Sequence, residues 1–128
     1  ETGEIAAVVC VVICKFVPQD ETQLEAVAAG KLQKIESLLK RREEEYGELG
    51  TVLCPYSIWS YQKGFGRKLI NNLLEAAPVL HPEIDAAITM SPHTDTAMRF
   101  HITNGAGIFS TNFKTVNYEY EVPEVVLH

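Results

Sequence analysis

Residues 50–74 change their hydrophobic period partway along, and this change constrains the fold more than any other feature of the chain. The first half is apolar and rich in β-branched and aromatic residues, which is typical of a buried strand. From Phe65 to Leu74, apolar residues recur at helical spacing. The stretch therefore predicts a strand that turns through Gly64 and Gly66 directly into a helix.

The segment between the predicted strand and helix has the features of an anion site. The first N–H groups of a helix have no partner within the helix, and they lie at the positive end of its dipole. Phosphate groups commonly bind at such helix ends. Gly64 and Gly66 let a ligand approach the backbone closely, because neither residue has a Cβ. We therefore expect a phosphate-binding loop here.

A proline interrupts the predicted strand. Pro55 removes one ladder hydrogen bond, so it is expected either on an edge strand or at a β-bulge. The edge interpretation requires no ligand. The bulge interpretation places an extra residue in this strand.

The N-terminal part predicts one strand and one long helix. The Val- and Ile-rich run at 5–14 does not alternate, which predicts a strand covered on both faces in the middle of a sheet. Ten residues are too few to cross a bilayer as a helix, which needs about twenty. Asp20 is the expected cap of the following helix, Gln23 completes a pair like a capping box, and Gly47 ends the helix.

The C-terminal part predicts a strand, a helix and a β-rich tail. The strand at 82–90 ends at 91–92 and pairs in parallel with the strand that carries Pro55. Thr94 or Asp95 caps the next helix, which ends at 104–105. The tail at 107–122 forms either a hairpin that turns near 112–114 or one long bent strand.

Composition excludes some functions and predicts an environment. The net charge of −6 gives no basic surface for nucleic acid. The three cysteines follow no disulfide or zinc spacing and the four histidines no ligand pattern, which predicts a cytoplasmic protein without a metal. The tail carries several aromatic residues, and an exposed strand of that kind is costly to leave unpaired. We therefore expect a homodimer formed through C-terminal strands.

The glycine loop resembles the central motif of the GNAT superfamily of acyl-CoA-dependent N-acetyltransferases. That motif is Arg or Gln, two residues, Gly, one residue, and Gly or Ala. Gly64, Phe65 and Gly66 match its last three positions, whereas Tyr61 stands in place of Arg or Gln. The resemblance implies that the loop binds the pyrophosphate of acetyl-CoA or another acyl-CoA. The cofactor-binding residues that it implies are Ser57, Ile58, Gln62, Lys63, Gly64, Phe65, Gly66, Arg67 and Lys68.

A second motif of the same family lies in the helix at 97–106. The family pattern is Ala, two residues, Phe-Tyr, three residues and Gly-Phe, and the residues that match it are Ala97, Phe100 and Gly105. His101 stands where the family has its general-acid tyrosine, and imidazole titrates in a suitable range for that role. The resemblance implies that His101 protonates the departing thiolate, with Tyr56 or Tyr61 as alternative donors.

The resemblance covers about residues 50–122 and implies an α/β fold. It implies a mixed, twisted sheet whose central parallel pair splays apart at a cofactor cleft, with helices on both faces. The bulged strand carries Pro55, and the pantetheine arm of the cofactor lies in the gap beside it. We expect a single domain over 1–128 with a shortened N-terminal half.

Three functions are compatible with these features. The first is transfer of acetyl from acetyl-CoA to a small amine or a peptide. The second is a GNAT-like acyl-CoA decarboxylase, because residues 88–92 and the pair of Ser57 and His93 resemble the malonyl-CoA decarboxylases. The third is a non-catalytic CoA-binding or dimerisation module, which the departures from both motifs favour.

Overall fold

One mixed sheet organises the residues that the computed structural model describes, namely 7–15, 17–28, 51–60 and 63–123. The elements in chain order are β1 Ala7–Cys14, α1 Glu21–Ala28, β2 Thr51–Ser60, α2 Phe65–Leu80, β3 Ile84–Ile88, β4 Ser91–Pro92, α3 Asp95–Thr103, β5 Gly107–Thr111 and β6 Thr115–Tyr120. Within these segments, six strands form the sheet in the order β1-β2-β3-β6-β4, and β5 also pairs with β6.

The central pair of strands has the predicted parallel direction. β2 runs parallel to β3, whereas β1 is antiparallel to β2 and β6 is antiparallel to β3. The connection between β2 and β3 contains the 16 residues of α2, which is long enough for a parallel crossover. The predicted strand and helix across residues 50–74, and the mixed α/β class, are therefore confirmed.

Helices cover both faces of the sheet, as predicted. Successive side chains of a strand point to opposite faces. Leu53 of β2 therefore packs with Ile70 and Leu74 of α2. Its neighbour Cys54 packs on the opposite face, in the cluster that Leu24 of α1 joins. Because the side chains of β2 alternate between the two faces, this strand contributes to the core on both sides of the sheet.

The position predicted for the first strand is wrong for the described sheet. β1 pairs with β2 and lies at one end of the strand order, not in its middle. Its apolar run has another cause, because Val11 joins the cluster under α2 and Val12 joins the opposite one. Both faces of β1 are therefore apolar although the strand ends the described sheet.

The first helix begins as predicted. The Asp20 carboxylate accepts the Gln23 N–H at 2.8 Å, and the Gln23 side chain accepts the Gln19 N–H at 2.9 Å. The pair resembles a capping box, but the glutamine reaches one residue further back than the motif requires. The later part of this predicted helix, including its end at Gly47, lies outside the described residues.

The C-terminal part contains one correction. Ser91 and Pro92 were expected only to end a strand, but they form β4 and pair with β6. Thr94 rather than Asp95 caps α3, since its hydroxyl accepts the Ala97 N–H at 3.2 Å. The pairing of β4 with β6 matters for the site, because residues 91–92 lie beside β6 and not beside β2.

The tail forms the hairpin alternative, with β5 and β6 antiparallel. Tyr118 and Tyr120, which were expected to support a dimer contact, are buried in the core, whereas Phe113 at the hairpin turn is 94% exposed. The predicted homodimer is not tested by this arrangement and stays a prediction. None of the described helices is long and apolar enough to span a membrane.

Candidate functional site

A cleft opens where β2 loses its parallel partner. The pairing of β2 with β3 begins at Thr51 and reaches Leu53, and the Met90 N–H then donates to the Pro55 carbonyl at 3.0 Å. Beyond this point the chain of β4 pairs with β6 instead. The second half of β2 therefore has β1 on one side and a gap on the other.

A bulge accompanies the gap, and it is one of the two alternatives that Pro55 left open. The pairing with β1 passes from Cys10–Ser57 to Val11–Pro55, so Tyr56 is an extra residue on the β2 side. Bulges bend the strand that carries them and increase its local twist. The bulge thus helps to turn the second half of β2 away from its former partner.

A cavity of about 400 Å³ lies in this gap, within the usual range of small-molecule sites. Its walls come from the splayed half of β2, the first two turns of α2, β4 and α3. The walls include Tyr56, Ser57, Ile58, Ser91, Phe100 and His101. Among the described residues, these walls offer apolar groups, hydroxyls and one imidazole, but no carboxylate and no lysine or arginine.

A second cavity of about 500 Å³ adjoins the first one and has a different character. The two cavities share walls at Ser60 and Phe100. The second cavity carries three cationic side chains, those of Lys63, Arg67 and Arg99. Together, the cavities suit a long ligand with an uncharged end and an anionic end.

The start of α2 lies between the two cavities. Gly64 precedes the helix with a φ of 86°, a left-handed conformation that glycine adopts without strain. The Ser60 hydroxyl accepts the Gly66 N–H at 3.2 Å, which joins the end of β2 to the helix. A Cβ on Gly66 would lie 3.3 Å from Cε1 of Phe100, so a glycine permits this close approach of α2 and α3. The first turn of α2 contains no acidic residue.

A chain of hydrogen bonds begins in the first cavity and runs into the core. The Ser91 hydroxyl lies 3.0 Å from Nε2 of His101, and Nδ1 of the same ring lies 2.6 Å from the Tyr120 hydroxyl. Ser91 also lies 2.9 Å from the Thr89 hydroxyl, which accepts the Tyr118 N–H at 3.1 Å. His101 is 4% exposed and Ser91 is 6% exposed.

Burial changes the acid–base behaviour of this chain. Loss of solvation lowers the pKa of His101 to about 4, so its imidazole is neutral at pH 7. Burial raises the pKa of Tyr120 above the ordinary value for tyrosine. A neutral imidazole accepts a proton or relays one, but it is a poor proton donor to a thiolate. The predicted role of His101 as a general acid stays a prediction, and its pKa does not favour that role.

The residues predicted from sequence fall into three groups. Tyr56, Ser57, Ile58 and His101 come together around the first cavity. The residues of the predicted phosphate loop in the second cavity are Lys63, Gly64, Gly66 and Arg67. Phe65 and Lys68 lie on the exposed side of the first helical turn, where the Lys68 ammonium is 4.8 Å from the centre of the Phe65 ring.

The remaining predicted residues do not join this group. Tyr61 and Gln62 lie outside the described residues. His93 is exposed. Its neighbours Pro92 and Thr94 line the first cavity together with Ser57, but His93 is not among the wall residues. Among the described residues, no group of three or more His, Cys, Asp or Glu side chains could hold a metal ion.

Sequence reasoning missed the partners of His101. The sequence places Ser91 at the end of a strand and in the segment 88–92 that resembles the malonyl-CoA decarboxylases, and it places Tyr120 in a predicted dimer contact, but it pairs neither residue with His101. The available signal was the alternation along β6, which places Tyr118 and Tyr120 on one face of the sheet. That signal shows which residues share a face, but not which helix packs against them.

The comparisons with known proteins give little beyond a structural likeness. No protein-family model matches the chain, and no curated protein is significantly similar to it. The crystal structure of the Campylobacter jejuni N-acetyltransferase PseH is similar, with a TM-score of 0.44 and 10% sequence identity. The match covers 87% of this chain and 97% of that chain. A likeness this weak carries no argument, and the proposals below depend on the geometry of the cleft.

Proposed function

We propose that this chain binds acyl-CoA in the cleft beside β2 and is a GNAT-like N-acyltransferase that moves acetyl from acetyl-CoA to an amine. The observation that carries the proposal is the gap beside the bulged half of β2, which leads from an uncharged cavity into a cationic one at the start of α2. An acyl-CoA has the corresponding shape, with an uncharged acyl end, an extended arm and several phosphates.

The residues of the two cavities suit the parts of this cosubstrate. Lys63 and Arg67 lie next to the N-terminus of α2, where phosphate oxygens are favoured by both the cations and the positive end of the helix dipole. The backbone of the splayed half of β2 faces the gap, and an extended chain that bears amides can pair with such an edge. The acyl group then lies in the first cavity, where the thioester supplies an activated carbonyl.

The first test uses the conformation of Gly64. Nothing lies within 4 Å of the position of a Cβ on this residue, so a substitution acts through the backbone and not through a clash. Asn tolerates a left-handed conformation, whereas a β-branched residue does not. Gly64→Val should therefore weaken acetyl-CoA binding by more than roughly tenfold, and Gly64→Asn should stay much closer to the parent. Calorimetric titration of the three proteins measures both effects.

A second test uses the charges. Arg99→Gln removes a cation from the second cavity, whereas Lys114→Gln removes an exposed lysine near the hairpin turn. The first variant should weaken acetyl-CoA binding several-fold and reduce its dependence on salt, and the second should change neither. If the parent protein binds no acetyl-CoA at millimolar concentration, the proposed cosubstrate is wrong.

A non-catalytic CoA-binding module is the second candidate, and one observation favours it. The described walls of the first cavity contain no carboxylate that could take a proton from an ammonium group. Release of CoA thiol in the presence of amines separates the two candidates. Binding of acetyl-CoA without acceptor-dependent thiol release would identify the module.

A further inference from the structure

Three side chains in the wall of the first cavity have the arrangement of an activated nucleophile. A hydroxyl, that of Ser91, lies 3.0 Å from one nitrogen of His101, and the other nitrogen lies 2.6 Å from the hydroxyl of Tyr120. A nucleophile, a base within hydrogen-bond reach and a third group that orients the base define this type of site. The binding of acyl-CoA proposed above does not require this arrangement.

The fold holds the imidazole in one orientation. The His101 ring stacks on Tyr118, with ring centres 4.7 Å apart and planes at 26°. Phe100 contacts the ring edge-on, with centres 5.2 Å apart. β4 pairs with β6 through Ser91 and Val116, so the serine is fixed to the strand that carries the tyrosines. Nε2 therefore faces Ser91 without a change of rotamer.

The hydrogen bonds beyond Ser91 favour transfer of its proton toward the ring. The Tyr118 N–H is a fixed donor and occupies one lone pair of the Thr89 hydroxyl. The Thr89 hydrogen is then free to point to Ser91, which lies 2.9 Å away. With this hydrogen accepted, the Ser91 O–H donates to Nε2, and the Nδ1–H of His101 donates to Tyr120. Every member of the chain then has a consistent direction.

We propose that Ser91 is an acyl-accepting nucleophile, that His101 is its base, and that Tyr120 is a positioning residue which holds the ring. The substrate class is a small activated acyl compound, a thioester or an aryl ester, that fits the cavity of about 400 Å³. The thioester form of this proposal rests on the acyl-CoA binding proposed above, whereas the aryl ester form does not.

The reaction balances without a further co-reactant. The Ser91 oxygen forms a bond to the acyl carbonyl carbon while its proton moves to Nε2 of His101. The bond from that carbon to sulfur, or to the aryl oxygen, breaks, and the leaving group takes the proton from Nε2. The product is an ester on Ser91, which water or an amine then cleaves with His101 as base. Such a protein transfers acyl groups in two steps through a covalent intermediate.

The test is covalent labelling with p-nitrophenyl acetate, followed by acid quench, intact-mass measurement and peptide mapping. We expect one acetyl group on Ser91 in the parent protein and none in Ser91→Ala. His101→Gln should slow labelling by at least roughly 100-fold, the usual loss for a general base. Ser110→Ala, which removes a half-buried hydroxyl on β5, is the matched control and should label like the parent.

Tyr120→Phe tests the positioning role and keeps the packing of the ring. Labelling should slow by roughly tenfold, as for the loss of one hydrogen bond. The low-pH limit of labelling should also move downward, because the tyrosine oxygen that accepts from Nδ1–H stabilises the protonated ring. The titratable groups in contact with that ring are Tyr118 and Tyr120. An unchanged pH limit together with an unchanged rate would remove Tyr120 from the proposal.

The outcomes separate this proposal from the proposed cosubstrate. Labelling of Ser91 by the aryl ester without any acetyl-CoA binding would leave the nucleophile and exclude acyl-CoA. Binding of acetyl-CoA with no acetyl on Ser91 from either donor would overturn the nucleophile. Acetylation of lysines alone, or equal labelling of Ser91→Ala, would also overturn it, provided that thermal melts show the variants folded.

Discussion

The two halves of β2 belong to one strand but have different neighbours. Val52 and Leu53 pair with β1 on one side and with β3 on the other, Thr51 pairs with β3, and all three residues are buried. From Ser57 onward, the strand pairs with β1, and its other side faces the cavity. The first half stabilises the sheet through its core packing, whereas the second half lacks a partner on one side and forms a wall of the cavity.

This difference shows that the cleft results from a break in strand pairing, not from a missing side chain. The break occurs at Pro55, and the same chain direction continues through it. Mutations in the first half should therefore change stability, and mutations in the second half should change mainly the site.

Leu53→Ala should have the largest effect on stability. Leu53 is 2% exposed and packs against α2, so its truncation leaves a cavity and should cost about 2–5 kcal/mol in the free energy of unfolding. Ile58→Ala, in the second half and only half-buried, should cost about 1 kcal/mol. Urea unfolding of both variants measures the difference, and equal costs would break the division of β2.

The protein should lose stability in acid because of His101, which lies on the cleft side of the core. Its pKa is about 4 in the folded protein, against roughly 6.5 in the unfolded chain, so the unfolded chain binds more protons between these values. This contribution is present above pH 6.5, decreases as the pH falls toward 4, and amounts to at most about 3 kcal/mol. Unfolding at pH 7.5 and 4.5 measures it.

Two variants isolate this contribution from the titration of carboxylates. His101→Gln should lose less stability than the parent over the same pH interval, because it removes the group that titrates. His81→Gln replaces an exposed histidine and should behave like the parent. If the glutamine variant does not fold, NMR titration of the imidazole in the parent gives the same answer. A midpoint near 6.5 would contradict the prediction.

Ser60→Ala should have the smallest effect. The Ser60 hydroxyl accepts the Gly66 N–H at the start of α2, and loss of this bond should cost about 0.5–1 kcal/mol. Ser60→Thr keeps the hydroxyl and should cost less. Thermal melts of the two variants measure the difference, and a larger loss in the threonine variant would show that packing outweighs the hydrogen bond.

Local features of the sequence predicted much of the frame. The change of period at 50–74 predicted β2 and α2, and the bulge is one of the two alternatives that Pro55 left open. The position of β1 could not be predicted in the same way. A continuous apolar run shows that both faces are covered, but it does not show how many strands pair with it.

The site depended more on contacts that are distant in the chain. His101 and Tyr120 are 19 residues apart and meet because α3 packs on β6. Ser91 lies next to the ring because β4 continues the pairing with β6. The sequence does not reveal this pairing, because β4 has only two residues and one of them is a proline. The resemblance to a family motif singled out His101 as a candidate, and its role stays a prediction, whereas its contacts with Ser91 and Tyr120 follow from packing.

Pro55 also bears on the rate at which the cleft can be occupied. Its carbonyl accepts from Met90, and a proline has no N–H to continue pairing on that side of the strand. One ladder hydrogen bond on this side of β2 therefore cannot form, whether or not a ligand is present. Because the gap is present before a ligand binds, binding requires little rearrangement. Encounter and orientation should then limit the association rate constant, which is roughly 10⁵–10⁷ M⁻¹s⁻¹ for a macromolecule-sized partner and higher for a small ligand. The cost of keeping the cleft open is met during folding, before any ligand arrives.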